Sequence, residues 1–185
     1  MEGHADSGLM HTVATTPRLV LREFTHEDAP FILELVNDEG WLRFIGDRGV
    51  RSVDDAEGYL DKGPITSYGA NGFGLYLVAR REDETRLGMC GLVRRDTLEH
   101  PDIGYAFLPA FRGMGYATEA GAALLDHAWS TLALPRVLAI TNPENAGSIR
   151  VLERLGFALE GQVSVRAGEP DVNLYGVSRP ASVTG

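Results

Sequence analysis

Apolar residues recur along the chain in two rhythms, every second residue in some runs and every third or fourth in others, the repeats of strand and helix. Residues 1–16 follow neither rhythm and read as a flexible leader. After Pro17, the run Arg18–Phe24 is strand-like. Thr25 and Asp28 have the spacing of a capping box and open a helix with Phe31, Ile32, Leu35 and Val36 on one stripe, ending near Asn37–Gly40. Residues 41–51 read as irregular. Ser52 opens a second helix whose first turn carries Asp54 and Asp55, where the dipole favours acids, and Gly63-Pro64 is expected to stop it near Lys62.

The runs Gly74–Ala79 and Arg86–Val93 flank the polar turn Arg80–Thr85 and predict a hairpin, in which Gly88 and Gly91 mark a bulge or a close approach of another backbone. Asp102–Leu108 is the next strand, with Ile103, Tyr105 and Phe107 on one face and Asp102, Gly104 and Ala106 on the other; Pro109 ends it. A helix from about Gly115 to Leu132 and a strand at Pro135–Thr141 complete a strand–helix–strand unit, whose two strands should lie parallel. The helix Ala146–Leu155 turns Ile149, Leu152 and Leu155 inward and is capped by Gly156. Phe157–Glu160 and Asp171–Val177 predict a terminal antiparallel hairpin.

The chain has 185 residues, 44% apolar and 23% charged, which suits one globular domain over residues 17–179 with a frayed tail over 180–185. A net charge of −9 argues against a nucleic-acid partner, which would need a basic face. It leaves a cationic acceptor electrostatically welcome, or serves only to keep the protein soluble. Cys90, the single cysteine, lies in an apolar run and reads as core. The five histidines are scattered and form no cluster at metal spacing, so no metal is expected. No apolar stretch approaches the ~20 residues of a membrane span, and the first residues lack the pattern of a signal peptide, so the chain reads as cytoplasmic with no membrane partner.

Candidate chemistry centres on Phe111–Ala120, where Gly113 and Gly115 precede a helix start. The first N–H groups of a helix lack internal partners and sit at its positive end, so such a turn can cradle a phosphate, with Arg112 as an adjacent cation. The spacing fits neither a P-loop nor a Gly-x-Gly-x-x-Gly fingerprint. The plain alternative is a helix N-terminus with no ligand.

The string Arg112-Gly113-Met114-Gly115-Tyr116-Ala117 resembles the Arg/Gln-x-x-Gly-x-Gly/Ala signature of the GNAT superfamily of N-acetyltransferases. Asn145-Ala146-Gly147-Ser148, followed by Leu155-Gly156-Phe157, resembles that family's second motif. With Thr16–Arg22 at the front, the chain is similar, over about residues 16–178, to the branch that includes the ribosomal-protein N-terminal acetyltransferases. The resemblance implies an α/β (α+β) GNAT fold, a mixed central sheet of about seven strands with helices on both faces and a splayed parallel strand pair.

It also implies roles. Acetyl-coenzyme A would lie with its pyrophosphate on the backbone of Gly113, Met114, Gly115, Tyr116, Ala117 and Thr118, beside Arg112. Its pantetheine arm would run along Phe107 and Leu108, with Asn142 and Asn145 near it and Ser148 at the sulfur. Many relatives place a tyrosine acid where this chain has Leu152, which leaves Ser148 as the substitute. Asp102, with Glu99 and His100 just upstream, is the candidate base, and Trp41, Phe44 and Tyr105 are candidate walls of an acceptor pocket, with plain core as the alternative for Trp41 and Phe44. The implied reaction is acetyl transfer to a primary amine of a protein N-terminus or a small molecule by direct attack; acyl groups longer than acetyl, a non-catalytic acetyl-coenzyme A sensor and a protein-interaction module are the alternatives, and a homodimer is possible by fold analogy.

Overall fold

The computed structural model describes residues 11–181. Its strands are β1 (Thr12–Thr15), β2 (Leu19–Arg22), β3 (Leu75–Arg80), β4 (Arg86–Val93), β5 (Asp102–Phe107), β6 (Arg136–Thr141), β7 (Ala158–Val163) and β8 (Val172–Ser178). Its helices are α1 (Ala29–Leu35), α2 (Glu39–Phe44), α3 (Val53–Leu60), α4 (Thr66–Asn71), α5 (Tyr116–Ser130) and α6 (Ala146–Arg154). The strands form one sheet in the order β1-β2-β3-β4-β5-β6-β8-β7. Every neighbouring pair is antiparallel except β5 and β6, the two strands joined through α5.

Alternation along the strands builds two cores. Tyr76, Val78, Cys90, Ile103 and Phe107 point to the face covered by α5 and α6. Leu77, Ala79 and Met89 point to the other, packed under α1 and α3 with Trp41. Gly88 and Gly91 sit where β4 is pressed closely by its neighbours: a Cβ on either would collide with backbone, that of Ala106 or of Gly74. A buried ion cluster anchors the start of the domain. Asp28 accepts from Arg22 at 2.9 and 2.8 Å and from Arg86 at 2.8 Å. The same carboxylate closes the capping box on the Thr25 N–H at 2.9 Å.

Three segments depart from the sequence reading. The expected leader reaches into the sheet: residues 12–15 form β1, which pairs with β2, while Val13 and Ala14 pack on the core. Four residues are too few to show a rhythm of their own. The leader's residues 1–10 lie outside the described residues. Residues 41–44, expected to be irregular, belong to α2, because the Asp38 carboxylate caps it by accepting from the N–H groups of Gly40 and Trp41 at 3.0 and 3.4 Å. The helix expected to stop at Gly63-Pro64 instead continues through a π-helical turn, Asp61–Ile65, into α4. The wider turn accommodates the proline ring, and the Thr66 hydroxyl donates to the Asp61 carbonyl at 2.5 Å. Both edge strands are irregular, with register shifts between Thr12 and Ala14 in β1 and between Leu159 and Gly161 in β7.

Candidate active site

The parallel pair is short. Only Asp102↔Leu138 and Ile103↔Ala139 are in register, and beyond them β5 and β6 part. The Leu108 N–H donates to Leu87 on β4 at 3.0 Å. Backbone groups alternate in direction along a strand, so the N–H groups of Tyr105 and Phe107 face the opposite edge, into the gap. Parted strands leave backbone donors and acceptors that an extended ligand can pair with.

At the top of β5 the chain passes through Pro109–Phe111 into the glycine turn. Gly113 and Gly115 have φ of +75° and +80°, conformations that a side chain disfavours. Gly115 is the N-cap of α5, and the turn is exposed, with nothing within 4 Å of a Cβ built on Gly113. The first N–H groups of α5 are therefore presented on an open surface.

The cation expected here, Arg112, is engaged elsewhere. Its Nε donates to the Phe107 carbonyl at 3.0 Å and its Nη2 pairs with Asp38. Arg18, arriving on the segment before β2, stands at the turn instead. It donates from Nη1 to the Met114 carbonyl at 3.0 Å, pairs through Nε with Glu119 at 2.7 Å, and lies 4.5 Å over the Tyr116 ring. Arg80 and Arg81 join Arg18 and Tyr116 around a hollow of about 420 Å3. Glu82 lines the same hollow, and Arg18 and Arg80 are paired with Glu119 and Asp83, so the arginines here are largely balanced by acids.

The two faces of β5 carry different chemistry. On the α6 face, the Tyr105 hydroxyl lies 2.8 Å from the Ser148 hydroxyl and 3.0 Å from the Ser148 carbonyl. Ser148 sits in the first turn of α6, where its N–H donates to the Asn145 side chain at 3.1 Å. Burial pushes the Tyr105 phenol up to about 12, so it keeps its proton at neutral pH. On the opposite face the Asp102 carboxylate is 1% exposed and accepts from the Arg95 Nε at 3.0 Å. Burial pushes Asp102 up to about 6, with Arg95 pulling the other way.

The remaining expected residues fall as follows. Asn145 caps α6, and the Asn142 side chain accepts from the Glu144 N–H at 2.8 Å, so both asparagines shape the loop at the mouth of the gap. Leu152 is core, 1% exposed. Glu99 is exposed and His100 half-buried in the turn before β5, and neither is joined to Asp102. Trp41 is a correction to the acceptor pocket: it is 4% exposed, packed beneath α1 and α3, with its indole N–H donating to the Gly46 carbonyl at 3.1 Å. Phe44 is half-exposed and lies under the Arg43 guanidinium at 4.8 Å. Cys90 is buried, its thiol pushed up to about 12, which fits core rather than a nucleophile.

Residues 18–158 match the model of the acetyltransferase (GNAT) domain. The chain belongs to the GNAT family. The uncharacterized N-acetyltransferase YnaD of Bacillus subtilis (strain 168) is 31% identical over 147 residues, 80% of this chain and 83% of that protein. An acetyltransferase from Agrobacterium tumefaciens superposes with a TM-score of 0.76 at 25% identity, covering 90% of this chain and 93% of its own. The ribosomal L7/L12 alpha-N-protein acetyltransferase RimL, in complex with coenzyme A, shares the fold with a TM-score of 0.78 at 20% identity, over 91% of this chain and 98% of its own. This GNAT domain is therefore an N-acetyltransferase, an enzyme class that moves acetyl from acetyl-coenzyme A to an amine. The parted strands and the open glycine turn fit that cosubstrate. Among the described residues no three His, Cys, Asp or Glu side chains are grouped to hold a metal, and no helix is long and apolar enough to cross a membrane.

Two features of the GNAT site were not read from sequence. One is Arg18, whose only signal was its place in the front motif; nothing local says that the segment before β2 lies beside the start of α5. The other is the joining of Tyr105 to Ser148, 43 residues apart, which depends on α6 folding back across the gap.

Proposed function

We propose that the protein acetylates a primary amine by direct attack on acetyl-coenzyme A within a ternary complex in the cytoplasm, with Asp102 as base and Ser148, backed by Tyr105, at the leaving sulfur. One observation carries this reading: a buried carboxylate and a Tyr–Ser pair flank the start of the β5–β6 gap from opposite faces of β5. The bound cosubstrate supplies an acyl group activated as a thioester. An acceptor ammonium has no lone pair, so a proton must leave before nitrogen can attack, and Asp102, directly or through a water, can take it. A carboxyl with its pKa near 6 is a better base than an ordinary one and is still ionised at neutral pH.

Tyr105 or Phe107 can donate a backbone N–H to the carbonyl oxygen as charge gathers there. The departing sulfur is met by Ser148. The Tyr105 hydroxyl has one hydrogen and two Ser148 oxygens in reach. When it donates to the carbonyl, the Ser148 hydroxyl donates to it; when Ser148 turns its hydrogen to the sulfur, Tyr105 can donate to Ser148. The first turn of α6 adds the positive end of its dipole. Arg18 and the N–H groups of Tyr116, Ala117 and Thr118 would hold the pyrophosphate, with Phe107 and Leu108 beside the pantetheine.

The test is thermal melting with and without acetyl-coenzyme A, followed by thiol release with amines. Ligand at about 100 times Kd should stabilise by about 2.7 kcal/mol, and ADP should not reproduce the shift. A shift without turnover on any amine would favour a sensor. No shift at millimolar ligand would sink both readings.

A further inference from the structure

On the Asp102 face of the sheet lies a cleft of about 830 Å3, between α3–α4 and the ends of β3 and β4. It meets the β5–β6 gap at one point. Leu75 and Val93 line the cleft, and their side chains are the nearest atoms to a Cβ built on Gly104, at 3.4 and 4.0 Å. Gly104 is the first residue of β5 beyond the last pair with β6, and it points to this face. With no side chain there, the cleft stays open toward the place where the strands part.

The charges on this cleft are not those that a net charge of −9 leads one to expect. Arg48, Lys62 and Arg94 line it, and among the described residues none of the three side chains has a hydrogen-bond or ion-pair partner. Arg166, in the turn between β7 and β8, and Arg95, in the turn after β4, act on Arg48 electrostatically as like charges, while Tyr59 and Glu169 act the other way. Burial and the two like charges push Arg48 below the ordinary arginine range. Arg95 is committed to Asp102 at 3.0 Å, and Arg166 stands 3.7 Å from Glu169. The acids of the cleft are Asp54 and Asp55 in the first turn of α3, and Asp55 already accepts from the Arg51 N–H at 3.0 Å.

Asp54 and Asp55 offset part of the charge of Arg48, Lys62 and Arg94, but among the described residues no side chain pairs with these three, and an oxyanion seated among them would supply the partner they lack. The planar fork of arginine matches carboxylate and phosphate. We propose that the acceptor is an amine that also carries a carboxylate or phosphate, held in this cleft by the unpartnered Arg48 and Arg94 while its amine reaches past Gly104 toward the gap. The proposal rests on the acetyltransferase reading above and gives that site its substrate class. It reverses what the overall charge implies, since polyamines would be repelled at this mouth.

The experiment uses matched amines and the full chain. Initial rates are compared for L-phenylalanine against phenethylamine, which isolates a carboxylate, and for O-phosphoethanolamine against ethanolamine, which isolates a phosphate, with spermidine as the cationic arm. The oxyanion-bearing member of at least one pair should be favoured in kcat/KM by about 10–100-fold, the range of a charge-assisted contact. Arg48→Ala and Arg94→Ala should each pull that ratio toward one through KM. Preference for spermidine or the neutral amines, or ratios indifferent to both substitutions, would overturn the proposal. A second measurement holds even if no amine of the panel reacts: coenzyme A-loaded protein is titrated with acetate and inorganic phosphate and followed at its arginine Nε–H NMR signals. Arg48→Ala should weaken binding of at least one anion about tenfold or more, and equal affinities would refute the clamp. Loss of the acetyl-coenzyme A melting shift in the unsubstituted protein would instead strike the underlying acetyltransferase reading, so the two failures are distinguishable.

Discussion

Replacing Asp102 by asparagine sets activity against stability. The carboxyl is buried, and its pKa of about 6 stands about two above the ordinary 3.8. Each step of one in pKa is 1.36 kcal/mol, so keeping Asp102 ionised in the fold costs up to about 3 kcal/mol. The sign follows from which state holds the proton. Between about pH 4 and pH 6 the unfolded chain releases it while the folded chain retains it, so stability falls as pH rises through this window and the penalty is complete above pH 6. Asparagine keeps an oxygen for the Arg95 Nε and carries no charge. Asp102→Asn should therefore stabilise the protein by about 1–3 kcal/mol at pH 8, roughly 3–9 °C in Tm, and by almost nothing at pH 4. The same change should lower kcat/KM by about 10²–10⁴-fold and abolish an acid limb near pH 6 in the rate profile. Urea melts at the two pH values and a pH–rate series test both halves. A variant that is less stable at pH 8 would show Asp102 to be a structural ion-pair partner; a variant with full activity would remove it as the base.

Other substitutions test the remaining parts. Ser148→Ala and Tyr105→Phe should each lower kcat roughly 10–100-fold with little change in acetyl-coenzyme A affinity, and the double variant should be little worse than the poorer single one; multiplicative losses would show that the two do not act as a unit. Gly115→Val forces a β-branched residue to a φ of +80° and crowds the phosphate turn, so acetyl-coenzyme A should bind at least about tenfold more weakly by calorimetry; an unchanged Kd would mean the turn holds no phosphate. Asp28→Asn should cost about 3–5 kcal/mol by leaving Arg22 and Arg86 without their carboxylate. Burial pulls the Asp28 carboxyl upward, but Arg22, the Thr25 N–H and Arg86 more than reverse this and hold it below its ordinary value. Its contribution is therefore present above about pH 4 and fades as pH falls further, so the urea midpoints of variant and parent should converge in acid; equal midpoints at pH 7 would refute the role.

The elements with long rhythms or a clear capping pattern were legible in the sequence. The capping box at Thr25, the hairpin of β3 and β4, the β5–α5–β6 unit and the glycine turn all lie where local pattern places them. What pattern missed was decided by contacts distant in sequence or by side-chain substitution for backbone bonds. β1 is too short to show alternation and is held by β2 and the core below it. α2 depends on one aspartate cap, and α4 exists because a π turn absorbs Pro64. At the site, motif spacing located the glycine turn but not the arginine that stands beside it. Arg112 adjoins the turn in sequence yet is held by Asp38, and Arg18, 97 residues before Gly115, takes the position. Net charge is silent on placement for a similar reason. It sums over the whole surface, while Arg48, Lys62 and Arg94, apart in sequence, line one cleft.

The irregular rims of the sheet bear on how copies of this chain can meet. A strand docking from a second molecule needs an uninterrupted ladder of N–H and C=O groups, and the shifts at Thr12–Ala14 and Leu159–Gly161 break that ladder at both outer strands. Two copies are thereby steered away from zipping their sheets into one, and pairing between them has to use side-chain surfaces. A stretch of strand without a neighbour also lies inside the sheet, where β5 and β6 part. An extended chain seeking a partner strand is thus turned away at the outside and received in the interior slot where the pantetheine arm of the cosubstrate would lie.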